Sequence, residues 1–290
     1  MRDYEQRSFR ADAVEINFAE GLNNGVPLVL LHGGSSRWQW WKWVIDALTE
    51  RTHSFAPDLR GHGRSTWTPG HYRLFDYAAD IESFLEAVVG VPAVLLGHSL
   101  GGAVALIVAA ERPDLVSCVI NEDGPLSADS ARRSILPTRP MLLSMRELAG
   151  STLPQGQLEE RVADLPIEQD GQTVRFGDLV GEEEVAWVAE TYRQHDPAML
   201  DAVIQFEEMF AGYDESVLRR IECPVVIFRA DPERGSAINE ASLQRAFSVL
   251  GEARSITFTG SGHSIHIEAS DRFVEELLSV ITALPANKHN

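Results

Sequence analysis

Short apolar runs alternate along this chain with longer segments in which apolar residues recur every three or four positions. The runs occupy residues 27–31, 53–58, 93–96, 116–121, 224–228 and 253–258. The longer segments lie at residues 76–89, 101–112 and 238–250, and around Phe273, Leu277, Leu278 and Ile281. Strands that alternate with helices predict a mostly parallel sheet with helices on both faces. Residues 13–18 predict an antiparallel strand at its edge.

Residues 125–216 interrupt this alternation. They hold no convincing buried strand, but they show helical spacing at 141–148 and 182–194 and a polar stretch with glycine and proline at 150–178. The pattern predicts a helical insertion between two strands of the sheet. The predicted core then comprises residues 1–124 and 217–290.

Composition narrows the class of protein. The chain has 290 residues, 44% of them hydrophobic, and a net charge of −18, which disfavours a nucleic-acid partner because phosphate backbones are also negative. Cys118 and Cys223 have no spacing typical of a metal site or a disulfide framework. The polar N-terminus and the lack of an apolar run near 18 residues predict no signal peptide and no membrane span. We therefore expect a soluble cytoplasmic protein.

One motif carries candidate chemistry. Residues 97–101 read GHSLG and fit G-x-S-x-G between a predicted strand and a predicted helix. A turn this sharp needs small neighbours such as Gly97 and Gly101, and it exposes the Ser99 hydroxyl at the carboxyl end of the sheet. The alternative is a glycine turn whose serine only caps the helix.

A serine hydroxyl needs a base to become a nucleophile. His263 is the best candidate, because it lies in a loop directly after the last predicted strand. His266 enters the following helix and suits a core or surface role. The side chain of His98 should point away from Ser99, and His32 precedes two glycines and should brace a loop.

A second glycine-rich loop follows the first buried strand. There, Gly34 can direct a backbone N–H at the space above Ser99, and the N–H of Leu100 is its natural partner. Two such donors would form an oxyanion hole. The alternative for this loop is a simple turn.

Together these segments resemble the α/β-hydrolase superfamily. The resemblance rests on residues 28–36, 56–65, 95–102, 224–232 and 260–268. It implies an α/β-hydrolase fold with a mostly parallel central sheet flanked by helices, and a helical cap of residues 125–216 inserted after strand 6. Haloalkane dehalogenases and epoxide hydrolases resemble this chain but use aspartate where Ser99 stands.

The resemblance leaves the acid of the site open. Family members take it from the end of one of two strands, which here offer Asp123 on one and Asp231 or Glu233 on the other. The spacing of about one helix–strand unit from Ser99 favours Asp123. Glu233 and Asp231 remain alternatives, because an acid at either strand end can reach His263 and hold its tautomer.

Several apolar residues are candidates for substrate contact. Trp38 lies closest to the first glycine loop, although packing of the tryptophan-rich helix is the simpler interpretation. The insertion offers further residues that would line an apolar pocket unless they belong to its core. They are Met141, Met145, Trp187, Tyr192, Met209 and Phe210.

The sequence therefore predicts a serine hydrolase that cleaves a small to medium, largely apolar ester, lactone or related acyl compound. The expected partner is a small-molecule substrate; no cofactor, metal or membrane is expected, and a homodimer is left open. The alternatives are C–C bond hydrolysis, lyase or perhydrolase chemistry on the same residues, or a non-catalytic small-molecule receptor of hydrolase fold.

Overall fold

The computed structural model describes residues 4–169 and 172–284. Its strands are β1 (Glu5–Ala11), β2 (Val14–Glu20), β3 (Val26–Leu31), β4 (Thr52–Pro57), β5 (Ala93–His98), β6 (Val116–Glu122), β7 (Pro166–Gln169), β8 (Gln172–Arg175), β9 (Val225–Ala230) and β10 (Ala253–Phe258). Eight of them form one sheet in the order β1-β2-β4-β3-β5-β6-β9-β10. From β4 to β10 all neighbouring strands are parallel, while β2 is antiparallel to β1 and β4.

Helices follow the strands along the chain. They are α1 (Ile45–Leu48), α2 (Leu74–Phe84), α3 (Leu100–Glu111), α4 (Ala128–Leu148), α5 (Gln155–Ala163), α6 (Phe176–Leu179), α7 (Glu182–Arg193), α8 (Pro197–Gln205), α9 (Glu215–Leu218), α10 (Glu240–Phe247), α11 (Ile265–Glu268) and α12 (Ser270–Ala283). A 3-10 helix spans Trp38–Trp43, another spans Pro232–Arg234, and a π-helical turn at Leu85–Val89 extends α2.

The apolar runs are continuous because both faces of the sheet are buried. In β3, Leu28 and Leu30 pack in the core on one face, together with α1 and α12. Val29 and Leu31 pack in the core on the other face, with α2, α3 and α10. The predicted α/β-hydrolase architecture of a mostly parallel sheet between helical layers is confirmed.

The N-terminal edge differs from the prediction. The strand predicted at residues 13–18 is β2, and it is paired on both sides rather than lying at the edge. The edge strand is β1, which is mostly exposed and reads EQRSFRA. Because β1 is polar, no apolar run marks it in the sequence. Charged side chains are typical of edge strands because they discourage pairing with other chains.

The insertion of residues 125–216 is mainly helical. The predicted helical segments 141–148 and 182–194 lie in α4 and α7, and the polar stretch contains α5 and the antiparallel β7–β8 pair. Residues of α5 and α7 form a small core of their own around Leu158, Val162 and Ala189. The division into a core and a cap domain stays a prediction. Within the described ranges, no helix combines the length and apolar character needed to span a bilayer.

Candidate active site

The turn that presents Ser99 joins β5 to α3. Ser99 has φ 51° and ψ −112°, a conformation that costs a residue with a side chain about 1–3 kcal/mol. A Cβ atom on Gly97 would overlap the carbonyl of Gly101, and one on Gly101 would overlap the carbonyl of Leu31. The Ser99 side chain makes no capping hydrogen bond to α3, so the alternative of a simple helix cap is wrong.

Ser99 and His263 line one cavity of about 350 Å³, which is at the small end of ligand cavities. Gly34 and Leu100 line the same cavity. These four residues come from the ends of β3, β5 and β10 and the start of α3. Carboxyl ends of parallel strands are where ligands bind in sheets of this kind.

The carboxylate of Asp123 lies against His263. Its Oδ2 accepts the Nδ1–H of His263 at 2.8 Å and the backbone N–H of Ala237, also at 2.8 Å. Its Oδ1 accepts the hydroxyl of Ser236 at 2.6 Å and the N–H of Ala230 at 3.2 Å. Asp123 is fully buried, and these four hydrogen bonds satisfy a charge that would otherwise be costly to bury.

The two alternative acids lie elsewhere. Asp231 accepts the backbone N–H groups of Gly260 and Glu233, so it fixes the turn after β9 and the start of the loop that follows β10. The side chain of Glu233 is exposed. His263 therefore donates its Nδ1–H to Asp123 and not to Asp231 or Glu233.

The environment of His263 favours its protonated form. Burial alone would lower its pKa, but the hydrogen bond to Asp123 and the negative charges of Asp123, Glu122 and Glu268 raise it overall. A raised pKa suits a group that accepts a proton during a reaction near neutral pH.

His98 has a role that the sequence did not reveal. Its ring centroid lies 4.8 Å from that of His263, and its Nε2–H donates to the His263 carbonyl at 3.1 Å. Burial and the neighbouring His263 hold the pKa of His98 well below its usual range. A Cβ on Gly33 would lie 2.6 Å from Nδ1 of His98, so this glycine makes room for the ring.

His32 braces the first glycine loop, as predicted. Its Nδ1–H donates to the carbonyl of Gly33 at 2.8 Å, and its Nε2 accepts the N–H of Leu59 at 3.0 Å. The histidine therefore ties the loop that presents Gly34 to the turn that follows β4.

Four of the predicted pocket residues line the cavity, namely Met141, Met145, Met209 and Phe210. Met199, which the sequence did not single out, lines it as well. Apolar spacing alone does not separate residues that face a cavity from residues that face a core, which is why Met199 was missed.

Three other predicted pocket residues lie outside this cavity. Trp38 is buried in the core with its backbone N–H on Asp58, as the packing interpretation expects. Trp187 stacks on Trp40 at a centroid distance of 5.0 Å. Tyr192 packs in the small core of the insertion. The structure thus places Trp38, Trp187 and Tyr192 outside the lining of this cavity.

Among the described residues that line the cavity, His263 is the one with an ionisable side chain. The polar lining of the cavity consists of backbone and of hydroxyls such as those of Ser134 and Thr138. These two hydroxyls donate to carbonyls of α4, at 3.0 and 2.9 Å, so a ligand would have to compete with those carbonyls for their protons. Among residues 4–169 and 172–284, no group of three or more His, Cys, Asp or Glu side chains could hold a metal ion.

The chain belongs to the alpha/beta hydrolase family, whose sequence model matches residues 28–276. A soluble epoxide hydrolase from Corynebacterium sp. (strain C12) is 38% identical over 93 residues, which cover 32% of this chain and 32% of that protein. The local alignment thus spans about a third of this curated relative.

Two further relatives align over nearly their whole length. An (E)-2-((N-methylformamido)methylene)succinate hydrolase from Acinetobacter baylyi is 22% identical over 90% of this chain and 92% of that protein. The crystal structure of an E-2-(acetamidomethylene)succinate hydrolase aligns with a TM-score of 0.73 and 22% identity, covering 97% of this chain and 100% of that one. At this level of identity the likeness between structures shows the fold alone.

Proposed function

We propose that this protein is a serine hydrolase that cleaves a small to medium, uncharged ester, lactone or related acyl compound through an acyl-enzyme. One observation supports this most directly. Ser99, on a strained turn, and His263, hydrogen-bonded to the buried Asp123, line the same cavity.

In this mechanism the Ser99 hydroxyl attacks the substrate carbonyl while Nε2 of His263 takes its proton. Asp123 holds the other ring proton and stabilises the imidazolium. The N–H groups of Gly34 and Leu100 bind the oxyanion of the tetrahedral intermediate. His263 then protonates the leaving group, and a water molecule deprotonated by the same imidazole releases the acyl group from Ser99.

The lining of the cavity supports an uncharged substrate. Carboxylate ligands are usually bound by arginine or lysine, and among the described residues no such side chain lines this cavity. A carboxylate would have to compete with the backbone carbonyls to which Ser134 and Thr138 donate. Two compared proteins are named as hydrolases of substituted succinates. We propose that this chain differs from them in substrate charge.

A pair of esters of similar length tests this proposal. We expect p-nitrophenyl butyrate to be hydrolysed at least about tenfold faster than p-nitrophenyl hemisuccinate, which adds a carboxylate. Ser99→Ala should abolish both reactions. Equal turnover of the two esters would contradict the proposed substrate charge, and activity retained in Ser99→Ala would contradict the nucleophile.

Labelling by a fluorophosphonate separates the alternative functions. Stoichiometric labelling of Ser99 with ester turnover supports the hydrolase. Labelling without ester turnover supports C–C bond hydrolysis, lyase or perhydrolase chemistry on the same residues. Folded protein that is not labelled supports a receptor.

A further inference from the structure

Two consecutive carboxylates at the end of β6 bind two different histidines. Asp123 binds His263, and Oε1 of Glu122 accepts the Nδ1–H of His266 at 2.7 Å. The same oxygen accepts the backbone N–H of His266 at 2.9 Å. Glu122 and His266 are both fully buried. A second carboxylate–imidazole pair therefore lies directly beside the one in the proposed active site.

We propose that the Glu122–His266 pair positions His263, both by fixing the chain around it and by placing a buried negative charge behind it. The inference rests on the proposed function of His263 as the base. Glu122 and His266 act through His263, and neither lines the substrate cavity.

The ring of His266 is enclosed by other aromatic rings. Its Nε2 is buried without a hydrogen-bond partner among the described residues. The ring packs 4.6 Å from Trp41 and 6.0 Å from Phe273, and 5.2 Å from the ring of His98. Protonation at Nε2 would bury an unpaired N–H among these rings. Of the two groups of the pair, Glu122 is the one whose negative charge raises the pKa of His263.

The pair also completes a set of carboxylates that hold the His263 loop, residues 259–264. Asp231 accepts the N–H of Gly260 at 2.7 Å, and Glu268 accepts the N–H of Gly262 at 2.8 Å. Glu122 holds the chain just after the loop, at His266. The loop is thus fixed at its start, its middle and its end.

Charged and titratable groups from three elements face His263. They are Asp123 and Glu122 at the end of β6, Glu268 on α11 and His98 at the end of β5. Asp123 binds His263 directly. Apart from Asp123, Glu122 is the fully buried carboxylate in this set. Its charge should therefore act on His263 with little screening by solvent.

The test replaces Glu122 by glutamine, which keeps the shape and an acceptor for His266 but removes the charge. We expect the pKa of His263, followed by NMR titration, to fall by about 0.3–1 unit. The acid limb of fluorophosphonate labelling at Ser99 should move to lower pH by the same amount. Glu233→Gln, which removes an exposed carboxylate, is the matched control and should move neither.

His266→Asn serves as the second variant, because its amide can donate to Glu122 in place of Nδ1–H and leaves the charge in position. The pKa of His263 should stay within about 0.2 unit of the wild type. An unchanged His263 pKa in folded Glu122→Gln, or an equal fall in His266→Asn, overturns the role of the charge. If wild-type Ser99 is not labelled, the proposed function fails, while the NMR titration still decides this inference.

Discussion

The carboxylate of Asp123 accepts the Nδ1–H of His263 at 2.8 Å, although 140 residues separate the two in the chain. An amide in place of this carboxylate would remove the charge that stabilises the imidazolium and would favour the wrong tautomer. We therefore expect Asp123→Asn to lower kcat on a p-nitrophenyl ester by about 10³–10⁴-fold. Glu233→Gln should stay within about twofold of the wild type. Near-normal turnover of folded Asp123→Asn would rule out Asp123 as the acid.

The backbone strain at Ser99 should lower the free energy of unfolding of the protein. The φ of 51° and ψ of −112° at this residue suit glycine better than any residue with a side chain. We expect Ser99→Gly to raise the free energy of unfolding by about 1 kcal/mol relative to Ser99→Ala, since both lose the hydroxyl but only glycine relieves the strain. Urea denaturation of both variants provides the measurement. Equal midpoints would mean that the turn stores no such strain.

The backbone N–H of Gly34, the proposed oxyanion donor, can be removed by a proline substitution, and an alanine substitution at the same position is the control. A Cβ at Gly34 meets open space, so Gly34→Ala should fold and keep the N–H. Gly34→Pro lacks the N–H, and we expect it to lose about 10²–10³-fold in kcat. The thermal midpoints of both variants show whether the fold is intact. If proline in a folded protein costs no more than alanine, the Gly34 N–H does not bind the oxyanion.

Three buried histidines make the fold sensitive to acid. The His62 ring lies 5.0 Å from that of His32 and 4.5 Å from that of His195, all without solvent exposure. Burial lowers the pKa of all three, that of His62 to about 4. These histidines therefore bind protons near pH 6.5 in the unfolded chain but not in the folded chain. As a result, the free energy of unfolding falls as pH drops from 6.5 towards 4.

The loss through His62 alone should reach roughly 2 kcal/mol by pH 5. His195→Leu removes a titrating ring whose two nitrogens have no hydrogen-bond partner among the described residues. We expect this variant to lose less stability than the wild type between pH 7 and pH 5 in urea titrations. His71→Gln, at an exposed position, is the control. A pH dependence identical in His195→Leu and wild type would show that the buried rings do not govern acid unfolding.

Lys42 joins the 3-10 helix of the core to α7 of the insertion. Its Nζ lies 4.2 Å from the centroid of Trp43 and 4.4 Å from that of Trp187, and it pairs with Glu184 at 3.0 Å. Lys42→Met keeps the apolar stem and removes the charge, and we expect it to lower the free energy of unfolding by about 1–2 kcal/mol.

The control for Lys42 is Arg161→Met, which breaks an exposed pair with Glu147 at 3.8 Å. We expect that change to cost less than about 0.5 kcal/mol. Chemical denaturation of the two variants side by side gives the comparison. Equal small losses would mean that the aromatic contacts of Lys42 contribute nothing to stability.

The Ser99 turn could be predicted because most of the residues that shape it are adjacent in the chain. Gly97 and Gly101 flank the serine, and their steric requirement can be read from the motif. The choice of acid is less local, because the spacing from Ser99 favours Asp123 but leaves Asp231 and Glu233 as alternatives. Asp123 and Asp231 follow neighbouring strands, so both stand at the same edge of the sheet. Their roles are separated by the loop after β9, which folds back to donate from Ser236 and Ala237 to Asp123.

The position of Trp187 could not be predicted for a related reason. Trp187 meets Trp40 across a contact between the insertion and the core, and a single sequence does not show which helix faces meet. The sequence indicates only a core or surface role for His266. Nothing in the sequence near Glu122 or His266 predicts that these two residues pair. Sequence patterns show periodicity and local turns, whereas pairing between distant loops depends on the assembled sheet.

All methionines of the described ranges border the same cavity. They are Met141, Met145, Met199 and Met209. Peroxides convert a thioether into a polar sulfoxide, and the leucine, valine and isoleucine side chains of the sheet core have no comparable reaction. Oxidation of the methionines would therefore fall on the lining of the proposed substrate cavity, where it would alter the range of accepted substrates while leaving the aliphatic packing of the sheet unchanged.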